Sequence, residues 1–378
     1  MPDLSFATPV RSETLDIFHR VHHTATDFLS VAGRALQERE REANCILPHA
    51  LKYRDIEGGV STPLESRAAI HDPAQPFHEQ LWITVWSQRS YSSSPSLDLV
   101  ATITHSEIDN LPIFLWSSTD TSQLTKSYLA PRFNVIVRSM LSQIPATRVF
   151  SVFGPNILTK SFAAAWTAAT GSHPYPRPYY EAALTFVTRE TLREEDKTRP
   201  ARQRYPFLIR RATLADIPAV ADQCYEFAYG SDFELSPDDS VREASIYVKR
   251  GQMYVCEVEL PNGERHMASI CAVTRNTARN ATISKVHTSS GFRSMGYAET
   301  LVRRVCHRLL HEKESRFGRA PLDFEPYDAV ALYVAHENIA ASTVYDRVGF
   351  QGLRGKARPH GVEDVLELGF ENSIKGYW

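Results

Sequence analysis

The chain has 378 residues, 43% hydrophobic and 23% charged, the proportions of a globular protein with enough apolar material for packed cores. Lys+Arg 42 against Asp+Glu 44 leaves a net charge of -2, without the positive excess on which nucleic-acid affinity rests, so no nucleic-acid partner is expected. The five cysteines are scattered, with no C-x-x-C pair; they suggest neither a disulfide framework nor a metal site, and read as reduced core thiols. Met1 to Ala7 carry no basic segment followed by an apolar run, and no stretch approaches the ~20 apolar residues that span a bilayer. A cytoplasmic chain without a membrane partner is the expectation, and Asn280-Ala281-Thr282 is read as a chance sequon.

In chain order, helical patterns are expected at about Thr14 to His22 and Asp27 to Glu42. Alternating runs LWITVWS, LDLVATITH and PIFLWSS read as strands, followed by a helix near Arg132 to Ile144 and strands VFSVFG and AALTFVT, with a second helical pattern between them. The run Arg189 to Arg204 is almost wholly charged or polar and reads as a linker, with some helical character at its start. Beyond it come a strand (Phe207 to Arg211), two helices (Ala215 to Tyr229 and Asp238 to Arg250), and a hairpin turning at Pro261-Asn262-Gly263. Strand ATISKVHT, helix YAETLVRRVCHRLL, strand DAVALYVA, helix IAASTVYDRVG and two final strands complete the order. Residues 1–190 and 205–378 thus present similar strings of elements on either side of a 191–204 linker, which suggests an internal duplication. VFSVFGPN and LYVAHEN, each an apolar strand ending in Asn before a helix, are its best residue-level support.

Lys285 to Leu310 is the segment that carries chemistry. Val286-His287-Thr288 ends a strand; a polar loop with Gly291 and Gly296 follows; then a helix places Ala298, Leu301, Val302, Val305 and Leu309 on one face. A loop feeding a helix N-terminus leaves backbone N–H groups converging on one spot with the positive end of the helix dipole behind them, a natural phosphate site. Gly296 allows close backbone approach, Ala298 keeps the next turn small, and Arg293 can pair with a phosphate oxygen. Set against this is an ordinary loop containing a glycine.

Arg293-Ser294-Met295-Gly296-Tyr297-Ala298 after Val286-His287-Thr288 resembles the acetyl-CoA-binding motif of the GCN5-related N-acetyltransferase (GNAT) superfamily, Arg/Gln-x-x-Gly-x-Gly/Ala after a Val-x-Thr strand. The stretch Asn338 to Phe350 resembles the family's second signature, Asn-x-x-Ala/Ser-x-x-x-Tyr-x-x-x-Gly-Phe. The resemblance covers about Tyr205 to Phe370. It implies an α/β fold with a mixed sheet, tandem if the first half is a second, degenerate unit. It also implies two parallel strands, Ala281 to Thr288 and Asp328 to Ala335, that splay to admit pantetheine near Val286 and Thr288. The implied activity is transfer of an acetyl group from acetyl-CoA to a primary amine, on a small molecule or a peptide, by direct attack in a ternary complex. A non-catalytic acyl-CoA-binding or regulatory module is the alternative.

The resemblance makes Tyr345 the general acid and puts Asn338 near the cofactor, where it also reads as a helix N-cap. Tyr345 as plain core is the other reading. The family's base positions hold Asn280 and Thr282, neither of which is basic near neutral pH. His287 and His336 are the remaining strand candidates, ahead of Glu257 and Glu259, which alternation places on the face of Met253 and Val255. The interval between PIFLWSS and its helix has no glycine, so the first half is expected to be catalytically silent. Amine identity, acyl length and oligomeric state are not written in the sequence.

Overall fold

The computed structural model describes residues 15–59, 80–89, 94–196, 198, 202–312 and 325–378. The reading of Met1 to Ala7 and parts of the 189–204 run lie outside the described residues.

Each half builds strands on one pattern. The first supplies β1 (Asp16–His22), β2 (Leu81–Gln88), β3 (Ser96–Ile103), β4 (Ile113–Ser117), β5 (Ser151–Pro155) and β6 (Tyr180–Thr188). The second supplies β7 (Phe207–Arg211), β8 (Met253–Glu259), β9 (Arg265–Val273), β10 (Asn280–Thr288), β11 (Ala329–Ala335) and β12 (Glu363–Gly369). All twelve join one sheet in the order β1-β2-β3-β4-β5-β12-β6-β11-β10-β9-β8-β7. Read from either end the order is the same once each strand is exchanged for the one six places along. Among the described residues only β4–β5 and β10–β11 run parallel.

The last strand of each half sits in the sheet of the other. β6 pairs with β11 from Ala329↔Thr188 to Ala335↔Ala182, and β12 pairs with β5 from Val365↔Pro155 to Gly369↔Ser151. The division at 191–204 therefore cuts the chain without cutting the sheet. Isolating residues 205–378 would strip β6 from β11 and expose its pairing edge. One cooperative unfolding transition is expected by calorimetry for the full chain; two resolved transitions would contradict this coupling.

Helices α1 (Ala25–Glu38), α2 (Leu47–Glu57), α3 (Lys126–Leu141), α4 (Asn156–Thr170), α5 (Ile217–Ala228), α6 (Pro237–Lys249), α7 (Tyr297–His311) and α8 (Ile339–Val348) cover both faces. Strand alternation assigns them. Ala182, Leu184 and Phe186 of β6 pack under α1 and α2, whereas Ala183 and Val187 join the core under α7 and α8. Met253 and Val255 lie under α5 and α6, and Tyr254 and Cys256 on the α7 side. Trp82 faces α1 and α2, and Ile83 and Val85 face α3 and α4. One face thus carries α1, α2, α5 and α6, the other α3, α4, α7 and α8.

Several expectations are corrected. Asp16–His22 is a strand, laddered to Leu81–Gln88, because the edge of β2 gives its backbone more hydrogen bonds than a lone helical turn could. Helix α2 was not foreseen: Pro48 in its first turn looks like a breaker but costs nothing where the N–H has no partner. Helix α3 begins at Lys126, capped by the Thr125 hydroxyl on Tyr128 N, and carries Pro131 inside it, so Pro131 and Arg132 do not mark its start. The described part of the linker is turn and irregular backbone with no helix, and a single final strand, β12, occurs among the described residues where two were expected. All five cysteines are buried free thiols, and Asn280 is buried, which removes the sequon as an acceptor.

Candidate functional site

The parallel ladder between β10 and β11 runs only from Asn280↔Ala329 to Ile283↔Leu332. A bulge at Ser284 then shifts the register of β10 against β9, and Lys285 to Thr288 continue with β9 alone. On its other flank β11 stays zipped to β6 as far as Ala335. The strands therefore part beyond Ile283 and Leu332, leaving backbone groups that must find other partners. β4 and β5 also ladder briefly, at Ile113↔Val152 and Phe114↔Phe153, but a Cβ added at Gly154 would lie 3.1 Å from Leu115 O, so those strands remain in contact.

Beside the parted pair, Gly296 is the N-cap of α7 at φ 80, with no side chain capping the first-turn amides. Ser294, at φ 63, is strained for a residue with a side chain. Met295 packs into the core under α7. The Tyr297 hydroxyl is spent on the Tyr205 backbone, accepting from N (3.1 Å) and donating to O (3.3 Å), so only its main chain is available to a ligand. Ala298 keeps the first turn narrow. Arg293 donates Nε to Thr288 O at 3.1 Å, which anchors the guanidinium at the strand end and engages one carbonyl expected to face a cofactor. The Thr288 hydroxyl lies 3.0 Å from Ser269 Oγ, and Val286 packs toward α7. Across Gly296 run Arg202 and Gln203, with Gln203 Nε2 bonded to Thr300 Oγ1 at 2.9 Å.

Tyr345 of α8 is nearly buried, tilted against Phe350 at 5.6 Å, and its hydroxyl has no hydrogen-bond partner among the described residues. Burial pushes it well above the ordinary tyrosine value, with Cys271, Tyr180 and Cys306 adding to the effect, so it holds its proton. Asn338 caps α8 through Ala341 N at 3.0 Å.

After the bulge, Lys285 and His287 face α5 and α6. His287 Nε2 lies 3.0 Å from Glu226 Oε2; burial pulls its value below the ordinary 6.5 against the pull of that carboxylate, which favours neutral imidazole. Lys285 Nζ pairs with Glu243 Oε2 at 2.5 Å; burial works against its charge, but Glu243 overrides this and holds it above its ordinary value. Glu243 also accepts from Tyr247 (2.9 Å) and from Tyr377 (3.4 Å). The other base candidates are elsewhere. His336, just past the end of β11, pairs at 3.2 Å with Asp364 of β12, the other neighbour of β6. Glu257 pairs with Arg210 and Arg265, and Glu259 with Arg265, two strands away from β10. Asn280 and Thr282 bond to each other at 3.2 Å. Thus the 286–298 segment and Tyr345 flank the parted strands, and His336 and Asn338 follow the end of β11, the His336 side chain paired to Asp364 of β12.

Sequence reasoning passed over the Lys285–Glu243 pair and Glu367. Glu367 sits in β12 at 1% exposure, accepting from Ser151 Oγ (2.7 Å) and Trp378 Nε1 (2.9 Å), and burial raises it to about 7. A glutamate between Leu366 and Leu368 in a strand with neighbours on both edges was the available signal. Between about 4.5 and about 7 the folded protein keeps a proton that the unfolded chain releases, so stability falls as pH rises through that window. Glu367→Gln is expected to abolish that dependence and gain on the order of 2 kcal/mol at pH 8. Urea midpoints at pH 5 and pH 8 check it, and an unchanged pH slope would count against it.

Among the described residues no helix is long and apolar enough to cross a membrane, and no cluster of side chains is suited to a metal. The sequence matches no family model and no curated protein. Among solved structures, a Drosophila protein aligns with TM-score 0.53 at 10% identity, covering 94% of this chain and 99% of that one. The likeness is one of fold. A GCN5-related N-acetyltransferase from Sphaerobacter thermophilus aligns at TM-score 0.45 and 17% identity, over 94% of this chain and 95% of that one. A tandem GNAT protein from the clavulanic acid biosynthesis pathway aligns at 0.42 and 11%, over 96% and 100%.

Proposed function

We propose that the chain is an acetyl-CoA-dependent N-acetyltransferase of tandem GNAT-like build, with residues 205–378 as the catalytic half and residues 1–190 as a silent half. The observation that carries this reading is the uncapped N-terminus of α7, with Gly296 in the left-handed region, beside strands that part after Ile283 and Leu332. Amides with no capping side chain suit a pyrophosphate, and parted strands suit the amide-bearing arm that follows it. The first half offers neither. Thr125 caps α3, and Leu115 lies against Gly154. The matching strand order of the two halves supports their duplication.

In this reading the amine nitrogen attacks the thioester carbonyl, forming the N–C bond as the C–S bond breaks. Tyr345 gives its proton to the departing sulfur. Neutral His287, oriented by Glu226, takes the proton lost by the amine, directly or through water. His287→Gln is then expected to lower kcat/KM about 10-fold or more and to remove an acidic limb lying below pH 6.5 in the wild-type profile. Retention of that limb in the mutant would remove His287 from the role. The reading as a whole is tested by acyl-CoA-dependent release of free thiol with a panel of amines, using acetyl-CoA and longer acyl-CoAs. CoA binding without amine-dependent thiol release would favour a non-catalytic binding module instead.

A further inference from the structure

A cavity is lined by α8, the end of β11 and the loop that follows α8. It has a volume of about 340 Å³ and opens at the C-terminal end of β11. Ile339 and Ser342 line it, whereas Ala341, Val344 and Tyr345 pack on the core shared with α7. Ala183, Val334 and Leu353 give the cavity an apolar floor, and its rim carries His336, Arg354, Lys356 and Arg358.

The charges on this rim are arranged unequally. Asp364 holds Arg358 NH1 at 2.7 Å and His336 Nε2 at 3.2 Å, and Asp346 holds Lys356 Nζ at 2.5 Å. Those carboxylates orient Arg358 and Lys356 without using all of their N–H groups. Arg354 has no hydrogen-bond or ion-pair partner among the described residues. Arg354, Lys356 and Arg358 against Asp346 and Asp364 leave one positive charge.

The backbone is also specialised. Arg354 stands at φ 56 between Gly352 (φ 70) and Gly355 (φ 76). A Cβ at Gly352 would come within 2.8 Å of Val362 Cγ1 and 3.1 Å of the Arg358 side chain, so the glycine lets Arg358 lie against the loop. Holding an arginine in the left-handed region strains the backbone, a cost that folding alone gives no reason to bear where glycine would serve.

We propose that this cavity binds a phosphorylated small molecule, with Arg354, Lys356 and Arg358 gripping the phosphate and the apolar floor taking its organic part. Arginine forks match phosphate oxygens, and the volume falls within the range of small-molecule sites. None of the 286–298 residues lines this cavity, and the site stands whether or not the cradle holds CoA.

The test is calorimetric titration of the full chain with inorganic phosphate and, separately, with CoA. Arg354→Gly removes the charge while relieving the strained backbone, so its thermal midpoint should stay level or rise. It should weaken phosphate binding at least tenfold, while Arg354→Lys stays within a few-fold of wild type. CoA affinity unchanged in Arg354→Gly identifies a separate phosphorylated ligand; CoA weakened in parallel identifies the phosphate as one of CoA's own. Phosphate affinity unchanged in folded Arg354→Gly overturns the site, as does phosphate binding that is lost in Gly296→Glu alone.

Discussion

Gly296→Glu is expected to weaken CoA binding roughly a hundredfold while the protein stays folded. Gly296 caps α7 at φ 80, where a residue with a Cβ pays about 1–2 kcal/mol in backbone strain. The new Cβ would meet Gln203 Nε2 at 3.1 Å and Arg202 Cβ at 3.5 Å. The first is the movable end of a flexible side chain and the second is ordinary contact, so the residue fits by displacing Gln203. A carboxylate at a helix N-terminus recovers about 0.3–1 kcal/mol from the dipole, which offsets part of the strain. That is the same positive end a pyrophosphate would use, and two anions cannot share it. Gly296→Asn separates charge from space, since asparagine tolerates the left-handed region and brings no charge. Calorimetry should show the Glu variant about a hundredfold weaker and the Asn variant within a few-fold. Equal losses in both would assign the effect to backbone freedom, and wild-type affinity in folded Gly296→Glu would move the phosphate site elsewhere.

The residues around α7 were legible in sequence because local chemistry settles them. The β-branched run of β10, the glycine before Tyr297, the capping Asn338 and the left-handed Gly349 that ends α8 each act within a few residues. What was not legible depends on partners far along the chain. Asp16–His22 reads as a helical turn until β2, some sixty residues later, offers it a ladder. Helix α2 has no apolar stripe of regular period, and it forms because Leu47, Ala50 and Tyr53 are covered by the sheet. The exchange of β6 and β12 is invisible because Tyr180–Thr188 and Glu363–Gly369 have the alternation that either neighbour would accept. At the site, the bulge at Ser284 puts Lys285 and His287 on the α5 and α6 side, and no residue type announces a bulge there. The partner of His336 was hidden for a related reason: Asp364 arrives on the exchanged strand.

Tyr345→Phe, which removes only a hydroxyl, is expected to lower turnover about 10²-fold, toward the lower end of the range for general acid catalysis. A thiolate with an ordinary pKa of about 8.5 is already a tolerable leaving group, which limits what an acid can add. Burial lifts Tyr345 well above the usual tyrosine range, so it stays protonated through neutral pH and contributes no limb of its own to the pH profile there. Its ring keeps its place against Phe350 and the core under α7, and its hydroxyl has no partner among the described residues, so the fold should lose almost nothing. This separates the two roles more sharply than the sequence could. A packing tyrosine that had satisfied its hydroxyl would lose up to about 1.5 kcal/mol of stability on conversion to phenylalanine. The informative measurement is turnover, CoA affinity and thermal midpoint in the same mutant. Lost turnover with both of the others preserved assigns the hydroxyl to the departing sulfur. Wild-type turnover would mean that the thiolate leaves unassisted, or takes its proton from water that reaches the gap between β10 and β11.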